Sequence, residues 1–194
     1  MNGVIGEVGI NSQEAADHRH EPIVNRVQLV ADHENVEVGE LLFEGSAGAV
    51  SAEDAESAKT AAANGTKTAF DFDFGEVLPG TVIITTDDTT AKTVSDNGDG
   101  TLGGEAEDGT GTVDYSTGKV SVTFSAAPAD TKTVTAKAVK GSGFVGVAND
   151  TVGKDEDNGV NVVIHGTIHE GIAKVNGVAA TSEQLKFLAR HGIY

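Results

Sequence analysis

Val160-Asn161-Val162-Val163-Ile164-His165-Gly166-Thr167-Ile168-His169 opens the stretch whose reading decides the fold, and Thr181-Ser182-Glu183-Gln184-Leu185-Lys186-Phe187-Leu188-Ala189-Arg190-His191-Gly192 closes it. The first part alternates. Val160, Val162, Ile164 and Ile168 share one parity, and Asn161, His165, Thr167 and His169 share the other. A period of two marks a strand with one buried and one exposed face. The second part carries helix punctuation: Thr181 with Gln184 as a capping box, Leu185, Leu188 and Ala189 as an i, i+3, i+4 apolar stripe, and Gly192 past the end. A helix of about ten residues is marginal alone. The spacing therefore predicts that the helix docks on the strand's apolar face. Val162, Ile164, Ile168, Leu185 and Leu188 are the expected core, and His165 and His169 are left exposed or at an interface.

The chain around this stretch has 194 residues, room for one large domain or two small ones. Aromatics are 5% of it and Trp is absent, so Val, Ile and Ala must supply most of the burial. Each buried Val or Ile is worth roughly 1.5–3 kcal/mol, so a thin core suffices and oligomerisation would add to it. A net charge of −17 argues against nucleic acid, because the 13 basic residues are scattered singly and form no stripe along phosphates. Anionic membrane is disfavoured for the same reason. Such acidity suits solubility and a surface that assembles densely without aggregating. With no Cys there is no disulfide framework, thiolate nucleophile or zinc–cysteine site, which is compatible with assembly in a reducing cytoplasm. The first residues, M-N-G-V-I-G-E-V-G-I, lack the basic and apolar regions of a signal peptide, and no apolar run approaches the ~18 residues of a spanning helix.

Residues 1–20 are small and polar without a sustained period and read as an arm ordered by a partner. Val4, Ile5, Val8 and Ile10 would let it add as a strand to a neighbour's sheet edge, with a frayed tail as the alternative. From Pro22, I-V-N-R-V-Q-L-V and N-V-E-V-G-E-L-L-F read as strands. Ser51 to Ala63 is alanine-rich, with Ser51 and Asp54 as a capping pair, and reads as a short surface helix or an alanine linker. Beyond Gly65 the texture changes to short strands and glycine-bearing turns, which argue for a small sandwich or barrel. T-A-F-D-F-D-F sets Phe70, Phe72 and Phe74 against Asp71 and Asp73, and K-V-S-V-T-F puts Val120, Val122 and Phe124 on one face. Gly141-Ser142-Gly143 marks the exit.

Candidate chemistry is sparse. His165 and His169 lie on one strand face, but zinc needs three or four ligands and H-G-T-I-H-E is not H-E-x-x-H. Asp96-Asn97-Gly98-Asp99-Gly100 lacks the oxygen side chains a calcium loop needs at its third and fifth positions and reads as a hairpin turn. No triad order, phosphate-cradling loop or activated carboxylate pair stands out. The expectation is a non-enzyme with no metal and no cofactor.

The strand–turn–helix ending, together with Val36-Glu37-Val38-Gly39-Glu40-Leu41-Leu42 and Gly143-Phe144-Val145-Gly146-Val147-Ala148, resembles phage head decoration proteins, which cement a capsid shell from outside. The phrases Val77-Leu78-Pro79-Gly80-Thr81-Val82 and Gly111 to Phe124 resemble the compact β-modules of phage virion proteins. The resemblance implies a mainly β chain: a small β-barrel-like, α+β decoration fold with a short C-terminal helix, interrupted by an inserted immunoglobulin-like β-sandwich. Residues 21–64 and 141–194 would form the decoration domain and 65–140 the insertion. It also implies a homotrimer on the outer capsid surface of the virion, made in the host cytoplasm, with the major capsid protein as partner. Val4, Ile5, Val8 and Ile10 of the 1–20 arm would make the capsid contact. The alternative is a tail, fibre or baseplate appendage whose sandwich binds a host glycan or protein, with Tyr115 as the exposed stacking residue.

Overall fold

A computed structural model of the protein describes residues 22–105, 108–154, 158–169 and 171–194, so the expected 1–20 arm, Val4, Ile5, Val8 and Ile10 included, lies outside the described residues. The chain begins with β1 (Ile23–Gln28), β2 (Leu41–Glu44) and β3 (Ala49–Val50). It continues through β4 (Glu56–Ala62), β5 (Ala69–Asp73), β6 (Ile83–Thr86) and β7 (Thr93–Asp96). Next come β8 (Thr101–Gly104), β9 (Gly109–Asp114), β10 (Lys119–Phe124) and β11 (Thr133–Val139). The last third holds β12 (Phe144–Ala148), β13 (Gly159–His165), β14 (Lys174–Val175), β15 (Val178–Ala179) and the helix α1 (Ser182–Arg190). The protein is mainly β, with one short C-terminal helix.

Two sheets carry the architecture. The first is five-stranded, in the order β1-β13-β12-β2-β3, so strands from both ends of the chain build it together. Just past β1, Leu29 bridges Ala49 of β3 and Val30 N–H donates to Ala49 O at 3.2 Å, which brings the two edges together into a small barrel. Its inner strands β2, β12 and β13 are largely buried on both faces, whereas the edge strand β1 is mostly exposed. Leu42, Ala49, Ala148, Val160 and Val162 fill the interior, whereas Leu41, Phe43, Val147 and Val163 face outward into a second core shared with α1. A bulge in β12 between Phe144 and Gly146 resets the alternation, so Phe144 and Val147 fall on the same face.

This double burial corrects the expected docking. Val162 and Ile164 belong to the barrel interior, and α1 covers the opposite face of β13 through Val163. Ile168 crosses to the helix side only after Gly166. Leu188 is buried under the helix at 1% exposure, but Leu185 is 45% exposed and is not core. The inward stripe is instead Gln184, Phe187 and Leu188. Gln184 faces inward because it completes the cap and reaches beyond it: its Oε1 accepts from Thr181 N–H at 2.9 Å, and its Nε2 donates to Pro79 O at 2.9 Å.

The second sheet has eight antiparallel strands in the order β4-β11-β6-β7-β8-β9-β10-β5. The expected sandwich takes the form of one ladder rolled around a single core of Phe70, Phe72, Phe74, Val120, Val122 and Phe124 with their neighbours. Its end strands nearly close the barrel, since Lys59 of β4 donates to the Asp73 carbonyl at the end of β5 and lies 5.5 Å over the Phe74 ring. Ser51 to Ala63 is neither helix nor linker. A single 3-10 turn at Glu53–Ala55 leads into β4, which pairs along its length with β11. The eight-stranded sheet therefore starts at Glu56, before the Gly65 at which the sequence texture changes.

The hairpin β14–β15 is held by Glu40. Its carboxylate accepts the N–H groups of Asn176 (2.5 Å) and Gly177 (3.0 Å), the turn residues whose φ values of 50° and 74° lie in the left-handed region. Burial pushes the Glu40 carboxyl above its usual range, outweighing the lowering by Gly177 and Asn176 N–H and by Lys174. A carboxyl raised in the folded state is most stabilising below its unfolded pKa, and that contribution is lost as pH rises through the folded value. The melting-temperature difference between wild type and Glu40→Gln should therefore shift against the wild type as pH rises from about 4 to 7. A difference moving the other way in parallel thermal melts would contradict this.

Candidate docking surface

The end of the barrel where β13 finishes combines an open strand edge with an apolar groove. Among the described residues β1 hydrogen-bonds to β13 on one side only, and its first residue Ile23 stands opposite His165. Ile23 and Val24 are 52% and 39% exposed, an unusual presentation for two apolar residues on an unpaired edge. Past His165 the chain continues into a short parallel ladder with the C-terminus: Gly166 N–H donates to Gly192 O, Tyr194 N–H to Gly166 O, and Ile168 N–H to Tyr194 O, at 2.8–3.0 Å. Beside it a groove of about 510 Å3 is lined by Thr167, Ile168, His169, Leu185, Leu188 and Tyr194, among others. Tyr194 and Leu185 supply its exposed apolar rim. The beginning of β1 and the groove thus lie on one end of the barrel.

His165 and His169 are both exposed, His165 next to Gly192 and His169 in the groove wall. Among the described residues no group of three or more His, Asp or Glu is placed to hold a metal ion. Sequence reasoning missed the exposed pair at the start of β1, because nothing local marks a strand as an edge.

A second feature missed by the sequence is the seam between the sheets. Leu78 and Val139, both from the eight-stranded part of the chain, sit in the outer core of the five-stranded barrel with Phe187 and Leu188. Glu76 accepts from Arg190 Nε (3.0 Å) and pairs with His191 Nε2 (3.1 Å) at the end of α1, and its carbonyl accepts from Gly141 N–H at 2.7 Å. A side chain at Gly141 would meet Glu76 Cγ and Phe187 Cε2 at 2.8 Å each, so the exit of the insertion requires glycine for close approach.

Tyr115, expected as an exposed stacker, is half-buried. Its hydroxyl donates to Asp96 Oδ1 at 2.7 Å and accepts from Gly100 N–H at 2.8 Å. Burial first, and the Asp96 hydrogen bond second, push its phenol far above the ordinary range. Asp96 uses its other oxygen on Gly80 N–H at 2.7 Å, so the Asp96–Gly100 turn ties the barrel to the Pro79–Gly80 corner.

A scan against protein-family models, a search of curated proteins and a search of solved structures each return no match to this chain.

Proposed function

We propose that the protein is a non-enzymatic structural component of a phage virion that binds the outside of the capsid and stabilises the expanded head. The observation that carries this reading is the outer edge of β1, which among the described residues pairs with β13 on one side only and exposes Ile23 and Val24, continuous in sequence with the 1–20 segment and its spaced apolar residues. Such an edge and leading segment suit strand addition to the major capsid protein, where main-chain hydrogen bonds give affinity and alternate side chains give specificity. The acidic surface keeps free copies apart until they meet the lattice. A homotrimer, as the family resemblance implies, would multiply the contacts, and a ligand that binds only the assembled shell stabilises it by mass action.

Deletion of residues 1–20 tests the reading. Purified expanded capsids are expected to bind the full chain at saturable copy number and to lose the truncated chain entirely, while its circular dichroism stays that of a folded β protein. Full occupancy by the truncated chain would reject the arm, and location on the tail alone would reject the shell.

A further inference from the structure

The apolar groove beside the C-terminus has no cover among the described residues, and its position relative to β1 points to one. Ile23, the first residue of β1, pairs with His165, and the residue after His165, Gly166, bridges Ile193. Ile193 and Tyr194 line the groove together with Ile168, Leu185, Leu188 and Ala189. Residues 1–22 are therefore attached to the molecule next to the groove wall. Exposed apolar side chains gather at the same end. Ile23, Val24, Leu185 and Tyr194 are exposed here, whereas Ile83 is the large apolar side chain exposed on the eight-stranded sheet among the described residues. A contiguous apolar patch of this kind marks a contact surface.

Chemistry and reach select the occupant. Val4, Val8 and Ile10 share one parity with only Gly6 between them, so an extended segment would present all three on one face. The groove offers aliphatic side chains of matching size. From Ile10 to Ile23 the chain can span about 45 Å when extended, several times the roughly 14 Å length of α1 along the groove's flank. A tether of this kind holds its end at an effective concentration on the order of millimolar. A second copy is a poorer occupant, because chains of net charge −17 repel one another.

We propose that in the free protein residues 4–10 lie in the groove of their own chain, with Val4, Val8 and Ile10 packed against Ile168, Leu185 and Tyr194. Held there, the segment is kept from pairing elsewhere until a shell competes for it. That consequence rests on the capsid reading; occupancy of the groove does not.

The test is NMR on the full chain with its Ile, Leu and Val methyls labelled with 13C. Methyl NOEs are expected between Val4 or Val8 and Leu185, unchanged on dilution. The Val4→Asp/Val8→Asp variant should lose them and shift the Leu185 methyls, while those of Val94 and Val134 in the eight-stranded sheet stay in place and show the fold intact. A peptide of residues 1–13 should bind this variant saturably. Wild type should bind it at least about tenfold more weakly, because the tethered segment already holds the groove. Adding Leu185→Asp should abolish peptide binding, and since Leu185 is exposed that change leaves the fold standing. Leu185 methyls indifferent to Val4→Asp/Val8→Asp, or equal peptide affinity for variant and wild type, would overturn the proposal and leave the groove to another partner. NOEs seen only between differently labelled chains in a mixed sample would overturn it in favour of a second copy. Capsids take no part in these measurements, so failure here and failure to bind the shell are separate results.

Discussion

Phe187→Ala is expected to cost about 3–5 kcal/mol of unfolding free energy, the largest effect of any single substitution considered for this chain. The side chain is fully buried where three parts of the molecule converge. Its ring packs edge-on against Phe144 at 5.4 Å, lies 4.5 Å from the His191 ring and sits beneath the Arg190 guanidinium at 5.8 Å. Truncation empties that space, and it also loosens the residues that hold Glu76. On the Gly141 side only backbone faces the gap, which limits how far the neighbours can refill it. Phe187→Leu, which keeps much of the volume, should cost less. The chain's two tyrosines give a site-resolved readout, Tyr194 beside the five-stranded barrel and Tyr115 in the eight-stranded one. In a fluorotyrosine-labelled protein the Tyr194 resonance is expected to report unfolding at lower denaturant than Tyr115. A midpoint unchanged from wild type would show that Phe187 is not a keystone.

The second large effect concerns removal of the insertion. Glu56 and Val139 are register partners, so the ends to be joined lie about 5 Å apart and a short glycine linker from Ala55 to Lys140 would span them. Geometry alone would let the five-stranded barrel close without its passenger. Packing predicts otherwise. The excised protein loses Leu78 and Val139 from its outer core, worth roughly 3–6 kcal/mol together, and Gln184, Arg190 and His191 lose their partners at Pro79 and Glu76. Its melting temperature is expected to fall by more than about 10 °C or to lose cooperativity altogether. Leu78→Ala in the full chain should reproduce much of this loss and should appear first at Tyr194. An excised chain that melts as the parent does would make the eight-stranded sheet a detachable appendage.

The sequence made some of this legible and hid the rest for physical reasons. Phe70, Phe72 and Phe74 alternate against aspartates because their strand is buried on one face only, so period two was readable directly. The capping box of α1 was readable because it is local: Thr181 and Gln184 bond to each other. β13 misled because both of its faces are buried. The adjacent pair Val162-Val163 signals that condition, but the parity count set Val163 aside. Leu185 was assigned inward on spacing, whereas Gln184 and Phe187 won that face through partners that spacing does not reveal. In Ser51 to Ala63 alanine propensity pointed to helix, and pairing with a strand far along the chain overrode it. Glu76 meets Arg190 across 114 residues, a relation with no local pattern at all. The expected contact residues Val4, Ile5, Val8 and Ile10 rest on the sequence alone.

The paired entry and exit of the insertion have a mechanical consequence. β4 and β11 leave the smaller barrel side by side, and among the described residues β11 is the strand that pairs with β4, with Lys59 adding a contact to the end of β5. Tension applied to the outer module along these two strands would pass into it through the ladder joining β11 to β6, from Val134–Thr86 to Lys137–Ile83. That ladder is loaded in shear, so its bonds must fail together rather than one after another. A module anchored in this way would resist being pulled away from the smaller barrel.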